Sequence, residues 1–319
     1  LRRTFLGLVL LCAALVAAVA LYRQNSGPVV IRPSGTVVRV YCHQSQEVRA
    51  MPLEEYLVGV VAAEMPAEFP MEALKAQAVV ARTYILKRLM GGGVVNRVHP
   101  EADICDDPRH GQAWLSREEL RARWGKAGYY RYYYKVKEAV DATRGVIVTY
   151  DGQPIDPVYH GSCGGATENA RDVWKVDVPY LRSVKCPYDS YPRDNEPVTF
   201  TLAELERRLG TDLGAVPALA GRQERLAVVA RTETGRPKSV RLGNRVMLAT
   251  ELRERLELRS TNFRVQMEGH RVTFTCTGYG HGVGMCQYGA RGLAEHGHDY
   301  RAILKHYYTG VEVTRLKGW

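Results

Sequence analysis

The sequence has few phenylalanines, only five, beside thirty glycines. It carries no compact Lys/Arg block and no nucleic-acid-binding module, which sets nucleic acid aside as a partner. It contains no internal repeat and no low-complexity tract. The pairing of low hydrophobicity with high net charge that marks disordered chains is also absent, since 45% of residues are hydrophobic and 24% charged. Seven cysteines are too few for a disulfide scaffold in 319 residues, and Cys12 lies in an apolar run, leaving six scattered ones. A chain of this length can bury one large core or two modest ones.

What is present begins with a membrane signal. Arg2 and Arg3 precede Phe5–Tyr22, eighteen residues without a charge, followed by Arg23 and a polar run. That length just reaches across a bilayer, and the leading arginines favour a cytosolic N-terminus with the remainder outside. Residues 1–22 are therefore read as an anchor. Ala18-Val19-Ala20 also resembles a cleavage site, so a cleaved signal peptide is the alternative, and both readings export the body. Residues 23–36 form a Pro/Gly-containing linker, and residues 37–319 form the extracytoplasmic domain. The formal net charge of +10 suits a polyanionic partner such as cell wall or anionic lipid.

Periodicity predicts a strand over Val37–Tyr41 and helices over Pro52–Met65, Met71–Met90, Ser116–Ala142, Thr250–Leu258 and Tyr300–Tyr308. Hairpins are expected for Val146–Tyr150 with Ile155–His160, around Asp151-Gly152, and for Leu226–Arg231 with Ser239–Leu242. Phe263–Thr277 reads as β, while Val94–Gln112, Gly161–Gly165 and Gly278–Ala290 read as loops. Helices and strands mingle without regular βαβ alternation, which predicts an α+β fold of helices and antiparallel hairpins around a cleft.

In the first helix Leu53, Tyr56, Leu57, Val60 and Val61 share a face, and Glu64 continues that stripe. A carboxylate facing a core loses water, and its pKa rises toward the range a proton donor needs near neutrality. A solvated helix end or an arginine partner is the competing reading. On the next helix Lys75 and Arg82 are seven apart, as are Gln77 and Tyr84, so each pair falls on one side. Cations there can hold an anionic sugar substituent, or simply form a solvated basic face. Tyr129, Tyr130, Tyr132, Tyr133 and Tyr134 cover several helical faces and are read as packing rather than as a sugar platform.

His99, Cys105 and His110 lie in one loop at spacings that suit zinc. The fourth ligand is assigned to Cys163 in the turn Gly161-Ser162-Cys163-Gly164-Gly165, with His160 and Cys42 as competitors. Four such ligands make a closed structural site. Three with a water would be catalytic, and a Cys105–Cys163 disulfide is the metal-free alternative. Gly278–Ala290 holds five glycines, too irregularly spaced for a dinucleotide fingerprint, and exposes His281, Gln287 and Tyr288 as candidates to line a cleft.

The segments Val60-Val61-Ala62-Ala63-Glu64-Met65-Pro66, Ala73-Leu74-Lys75-Ala76-Gln77-Ala78 and Ala81-Arg82-Thr83-Tyr84 resemble the stage II sporulation protein D (SpoIID/LytB) family. So do Tyr159–Gly165, Leu258-Arg259-Ser260-Thr261-Asn262-Phe263 and Gly278–Ala290, in the same order. The resemblance implies a lytic transglycosylase that cuts peptide-stripped peptidoglycan strands, with Glu64 catalytic. It also implies an N-terminal membrane anchor, and a partner amidase within a membrane complex that acts during engulfment. Lys75, Arg82, Tyr159, Ser162, His281, Gln287 and Tyr288 are the candidates to grip sugars, with Gln77 and Tyr84 in reserve. Some members hold zinc in a loop like His99–His110, with a cysteine directly after the second histidine. Gly111 stands there in this chain, and Cys163 and Cys286 stand where serine is usual.

Overall fold

The computed structural model describes residues 35–91, 99–107, 111–212 and 226–318. The apolar segment Phe5–Tyr22 lies outside the described residues, among which no helix is long and apolar enough to cross a membrane. The fold is α+β, with five small sheets among the described residues.

Strands β1 (Val37–Cys42) and β2 (Glu47–Pro52) form a hairpin that leads straight into helix α1 (Leu53–Glu64). Pro66 ends α1, and Met65 is already extended. Helix α2 (Met71–Met90) follows. It is buried almost continuously from Ala73 to Thr83, so it shows no apolar stripe and forms the centre of the larger core. Ala73, Ala76, Ala78 and Ala81 are all buried and let neighbouring backbones come close. Strand β3 (Ile104–Cys105) pairs parallel to β1. Helix α3 (Arg117–Ala142) starts at a capping box of Ser116 with Glu119, and Gly125, at φ +66°, breaks it into two helical stretches.

After α3, β4 (Val146–Tyr150) turns at Asp151-Gly152 into β5 (Gln153–Pro154). The hairpin stops there, shorter than the sequence pattern predicts. Pro154 and Pro157 have no amide hydrogen to continue a ladder, and the chain peels away. The next strand, β6 (Tyr159–His160), pairs in parallel with a segment more than a hundred residues later. The short helix α4 (Ala170–Trp174) follows.

A second, smaller core then forms on its own elements. They are β7 (Pro197–Thr201), α5 (Leu202–Leu209), β8 (Leu226–Arg231), β9 (Pro237–Leu242), β10 (Arg245–Leu248), α6 (Ala249–Leu256), β11 (Phe263–Glu268) and β12 (Arg271–Cys276). The hairpins β8–β9 and β11–β12 match the strand pattern of the sequence.

The chain then returns to the larger core. Strand β13 (Met285–Cys286) is the partner of β6, and helix α7 (Gln287–Glu295) starts inside the glycine-rich segment that the sequence presented as a loop. Helix α8 (Tyr300–Tyr307) and β14 (Glu312–Arg315), which pairs with β4, close the fold.

Among the described residues Arg82 is the largest fully buried side chain, and it ties its own helix to three other elements. Its guanidinium donates to Glu54 Oε2 at 2.7 Å, to the Val140 carbonyl at 3.1 Å and to the Val146 carbonyl at 3.3 Å. It thus joins α2 to the start of α1, the end of α3 and the start of β4. Truncation leaves Glu54 and the Val146 carbonyl without this donor. An Arg82→Ala variant is therefore expected to lose roughly 3–5 kcal/mol of stability, read from its denaturant midpoint; a loss below about 1 kcal/mol contradicts this role.

Candidate active site

Glu64 is the last residue of α1 and is only partly exposed, while Leu57, Val60 and Val61 on the same stripe are buried. Its Oε1 accepts the Ala113 amide hydrogen at 2.8 Å. That amide arrives because residues 112–115 lie directly across α1. The Leu115 amide donates to the Gly59 carbonyl at 3.4 Å, and a Cβ on Gly59 would lie 2.3 Å from Trp114 Nε1. Only glycine at 59 lets the crossing segment come this near.

The Tyr159 hydroxyl lies beside the Glu64 carboxyl and also favours its charged form. This phenol is held in turn. Gln112 Nε2 donates to it at 3.3 Å, and the Tyr56 hydroxyl donates to Gln112 Oε1 at 3.3 Å. Gln287, the first residue of α7, is buried and donates from Nε2 to the Glu64 carbonyl at 3.0 Å and to Gln77 Oε1 at 3.3 Å. The β6–β13 pairing places Tyr159 opposite Met285, and so brings Tyr159 and Gln287 to the same end of α1.

These contacts set the acidity of Glu64. Burial pushes its pKa above the ordinary 4.5, and the Ala113 amide and the Tyr159 hydroxyl oppose that rise without cancelling it. None of the three causes is a charged neighbour. The carbonyl end of α1 adds a partial negative charge that works in the same direction as burial.

The remaining candidates divide. Tyr288 is partly exposed and packs edge-on against Phe69 and Tyr191, with ring centroids 5.1 and 5.2 Å away. Tyr191 stacks on the half-exposed Tyr279, which continues an aromatic wall. His281 accepts the Val283 amide at Nδ1, so Nε2 carries the hydrogen and donates to the Tyr159 carbonyl at 2.9 Å. Burial lowers its pKa to about 4, so it is neutral and acts on Tyr159 through the backbone. His281 also lines a groove with Trp174, Tyr279, Arg253 and Arg259. Ser162 is buried and donates to Asp189 at 2.9 Å. Lys75 is tied to Glu72 at 2.7 Å, and the other Glu72 oxygen accepts the Tyr300 amide. Arg82 does not reach the surface at all. The expectation that it grips a sugar is corrected, because its donors are taken by Glu54 and the backbone. Of the reserve pair, Gln77 supports Gln287, and Tyr84 lies under the Arg88 guanidinium. Within the tyrosine run, Tyr129 and Tyr133 are buried and stacked, whereas Tyr130 and Tyr134 stack on the exposed side.

The expected zinc set is also corrected. His110 lies outside the described residues. Cys105 sits on β3, where its Sγ accepts the Asp107 amide, and the His99 ring stacks on Tyr41 at 3.4 Å. Cys163 does not join them. The Ser162–Tyr279 bridge turns the Gly161–Gly165 segment inward, and Cys163 lies with Cys186, Cys286 and Asp189, whose ligand atoms are all within 4.8 Å of one another. That donor set can hold a metal ion. Of the competing ligands, His160 bonds through Nδ1 to the Val283 carbonyl, and Cys42 Sγ faces the Val40 carbonyl. All six cysteines among the described residues are free thiols.

The Ala113 amide, Gln112, Tyr56, Tyr191 and Asp189 carry no sequence signal, since each acts through a tertiary contact. Gly59, inside a helix, is the one local clue to a close crossing.

Removing the Tyr159 hydroxyl takes away a group that favours the Glu64 carboxylate, so its pKa rises further. Tyr159→Phe should therefore move the Glu64 titration, followed by carbon NMR of labelled glutamate, to higher pH than in the wild type. A downward or absent shift contradicts the arrangement.

The family model SpoIID, described as Stage II sporulation protein, matches residues 41–150, which include Glu64 and the Ala113 segment. Stage II sporulation protein D of Bacillus subtilis (strain 168) is 36% identical over 298 residues, covering 93% of this chain and 84% of that protein. The protein of the same name from Bacillus amyloliquefaciens is 38% identical over 285 residues, covering 89% and 80%. An amidase enhancer of Bacillus subtilis (strain 168) is 28% identical over 309 residues, covering 81% of this chain and 40% of the enhancer. Likeness at this level over most of both chains takes in the segments that meet at Glu64, and the chain belongs to the stage II sporulation protein D family.

Proposed function

We propose that this protein is a lytic transglycosylase that cleaves the bond between N-acetylmuramic acid and N-acetylglucosamine in peptide-stripped peptidoglycan strands. The observation that carries the reading is a single glutamate at the end of an apolar helix, with its pKa raised by burial, the Ala113 amide bonded to its carboxyl and the Tyr159 hydroxyl beside it.

A protonated Glu64 donates to the glycosidic oxygen as the bond to C1 breaks, and positive charge develops on the sugar as an oxocarbenium-like species. Glu64 is then a carboxylate. The Ala113 amide and the Tyr159 hydroxyl hold that charge in place, which is the role their geometry fits. The carboxylate next takes the proton of the muramic acid 6-hydroxyl. The freed oxygen bonds to C1 and closes a 1,6-anhydro ring. The proton returns to Glu64 and no water is consumed, so one carboxyl serves both steps. Tyr288, Tyr191 and Tyr279 offer ring faces to sugars, and Arg253 in the groove beside His281 suits the muramic acid carboxylate. Gln287, His281 and Ser162 act as positioning residues.

On this reading the segment Phe5–Tyr22 holds the domain at the outer face of the membrane, and the positive net charge favours the anionic wall. The protein then works in sporulation, during engulfment, beside a cell-wall amidase in a membrane complex. The likeness to the amidase enhancer favours a second reading, in which the domain binds glycan and stimulates that amidase without cutting.

Mass spectrometry of products from peptide-free strands separates the two. The wild type should release anhydro-ended fragments, and Glu64→Gln should lower their rate by on the order of a hundredfold to ten-thousandfold. The wild-type rate should fall as pH rises through the raised Glu64 pKa, because the acid form is then lost. Hydrated reducing ends would exclude the mechanism. No cleavage with glycan binding retained would favour the enhancer.

A further inference from the structure

Cys163, Cys186 and Cys286 are almost fully buried, and their sulfurs share one small space with the Asp189 carboxylate. Three segments build it. The Ala166–Lys185 bridge and the bond from the Cys186 amide to the Gly165 carbonyl, at 2.8 Å, bring residue 186 to the glycine turn. The β6–β13 pairing brings Cys286 to the same place.

Buried thiols alone can be ordinary core residues. Two features separate this group from that reading. First, Asp189 Oδ1 is buried without any hydrogen-bond partner, an arrangement that costs free energy unless something else meets it. Asp189 Oδ2, by contrast, accepts from the Ser162 hydroxyl at 2.9 Å and from the Cys163 and Gly164 amides at 2.8 and 2.7 Å, with Cys163 Sγ at 3.2 Å. Second, the sulfurs are already supplied with the contacts that metal-bound thiolates take from their surroundings. The Cys163 and Gly289 amides donate to Cys286 Sγ at 3.3 and 3.2 Å, and the Tyr307 hydroxyl lies 2.9 Å from Cys186 Sγ. The backbone is shaped around them: a Cβ on Gly289 would lie 2.2 Å from Cys186 Sγ and 2.1 Å from Tyr307 Oη.

We propose that Cys163, Cys186, Cys286 and Asp189 form a closed, structural site for Zn2+ or a zinc-like divalent cation. Three sulfurs and one carboxylate oxygen make a tetrahedral set. Zinc–sulfur bonds of about 2.3 Å imply tetrahedron edges of roughly 3.8 Å, so atoms within 4.8 Å of one another reach the ion with small inward shifts. Loading sends the three thiol protons to solvent. The negative charge left over is met by the amides above, and the buried Arg236, itself paired with Glu168, braces the turn by donating to the Cys163 and Ala166 carbonyls. Four protein ligands leave no position for water, so the ion is a clasp. It joins the turn that follows Tyr159 to the start of α7, where Gln287 holds the Glu64 carbonyl. This site is separate from the His99 loop and independent of the reaction assigned to Glu64.

The test uses the full chain, kept reduced, loaded with Zn2+ or with Co2+ as a spectroscopic probe. Roughly one equivalent of cobalt should bind this site with intense thiolate-to-metal charge-transfer absorption and tetrahedral ligand-field bands. Cys186→Ser and Cys286→Ser should each lose most of that absorption, whereas Cys276→Ser and Cys105→Ser should keep it. Spectra unchanged in Cys186→Ser, or no metal taken up by the wild type, would overturn the site. Because a variant can fail by misfolding, alkylation is mapped on the wild type as well. Cys163, Cys186 and Cys286 should label at least about tenfold more slowly with Zn2+ than after chelation, while Cys276 is indifferent. Equal labelling in both states, or a disulfide joining two of the three in protein isolated without reductant, would also refute it.

Discussion

A carboxyl at the closed end of an apolar helix loses most of its water, and the arrangement around α1 answers that constraint. Burial raises the pKa of Glu64, while one amide and one phenol meet its carboxyl and limit the rise. The amide needs a crossing segment close to Gly59, the phenol needs Gln112 and Tyr56, and the backbone of Glu64 needs Gln287. Each of these comes from a different part of the chain. The parallel pairing of β6 with β13 is what brings the last two parts together. The small sheets and the glycine turns serve this meeting point.

Buried charge is handled differently elsewhere. Arg82 carries a full positive charge into the larger core and is matched by Glu54 and by carbonyls at the ends of α3 and β4. Arg236 does the same between the two cores, paired with Glu168 at 3.2 Å while donating to carbonyls of the glycine turn. Such groups are costly to bury and more costly to leave single, so they define which segments must be adjacent. Glu64 has no such ion partner among its pKa determinants, and that difference separates a group suited to exchanging protons from groups that hold the fold.

The glycine-rich segments show why local pattern misleads. Residues 278–290 look like one loop, yet they contain β13 and the start of α7, whose first turn is capped by Cys286 Sγ. The positive φ angles at Gly278, Gly280, Gly282 and Gly284 let the backbone lie against residues 158–164 and Arg236, where side chains would collide. That same closeness draws Cys163 away from the His99 loop and into the group with Cys186 and Cys286.

The sequence by itself determined the helices α1, α2, α3 and α8, the α+β class and the placement of Glu64 on an apolar stripe. These follow from residue spacing along one element, which periodicity reports directly. Through the family pattern it also located the segments that carry Glu64, Gln77, Tyr159 and Gln287, though not the segment at Gln112 and Ala113. Only the tertiary structure decided which side chains serve that site. Arg82 shares its helical side with Lys75, yet it is buried beneath Glu54, because spacing names a face and not what covers it. The partners of Glu64 lie 49 to 223 positions away from it, and the ligands grouped around Cys163 are drawn from segments more than twenty to more than a hundred positions away. Such contacts are fixed by packing, strand pairing and the close approach that glycines allow, none of which is written in the local pattern.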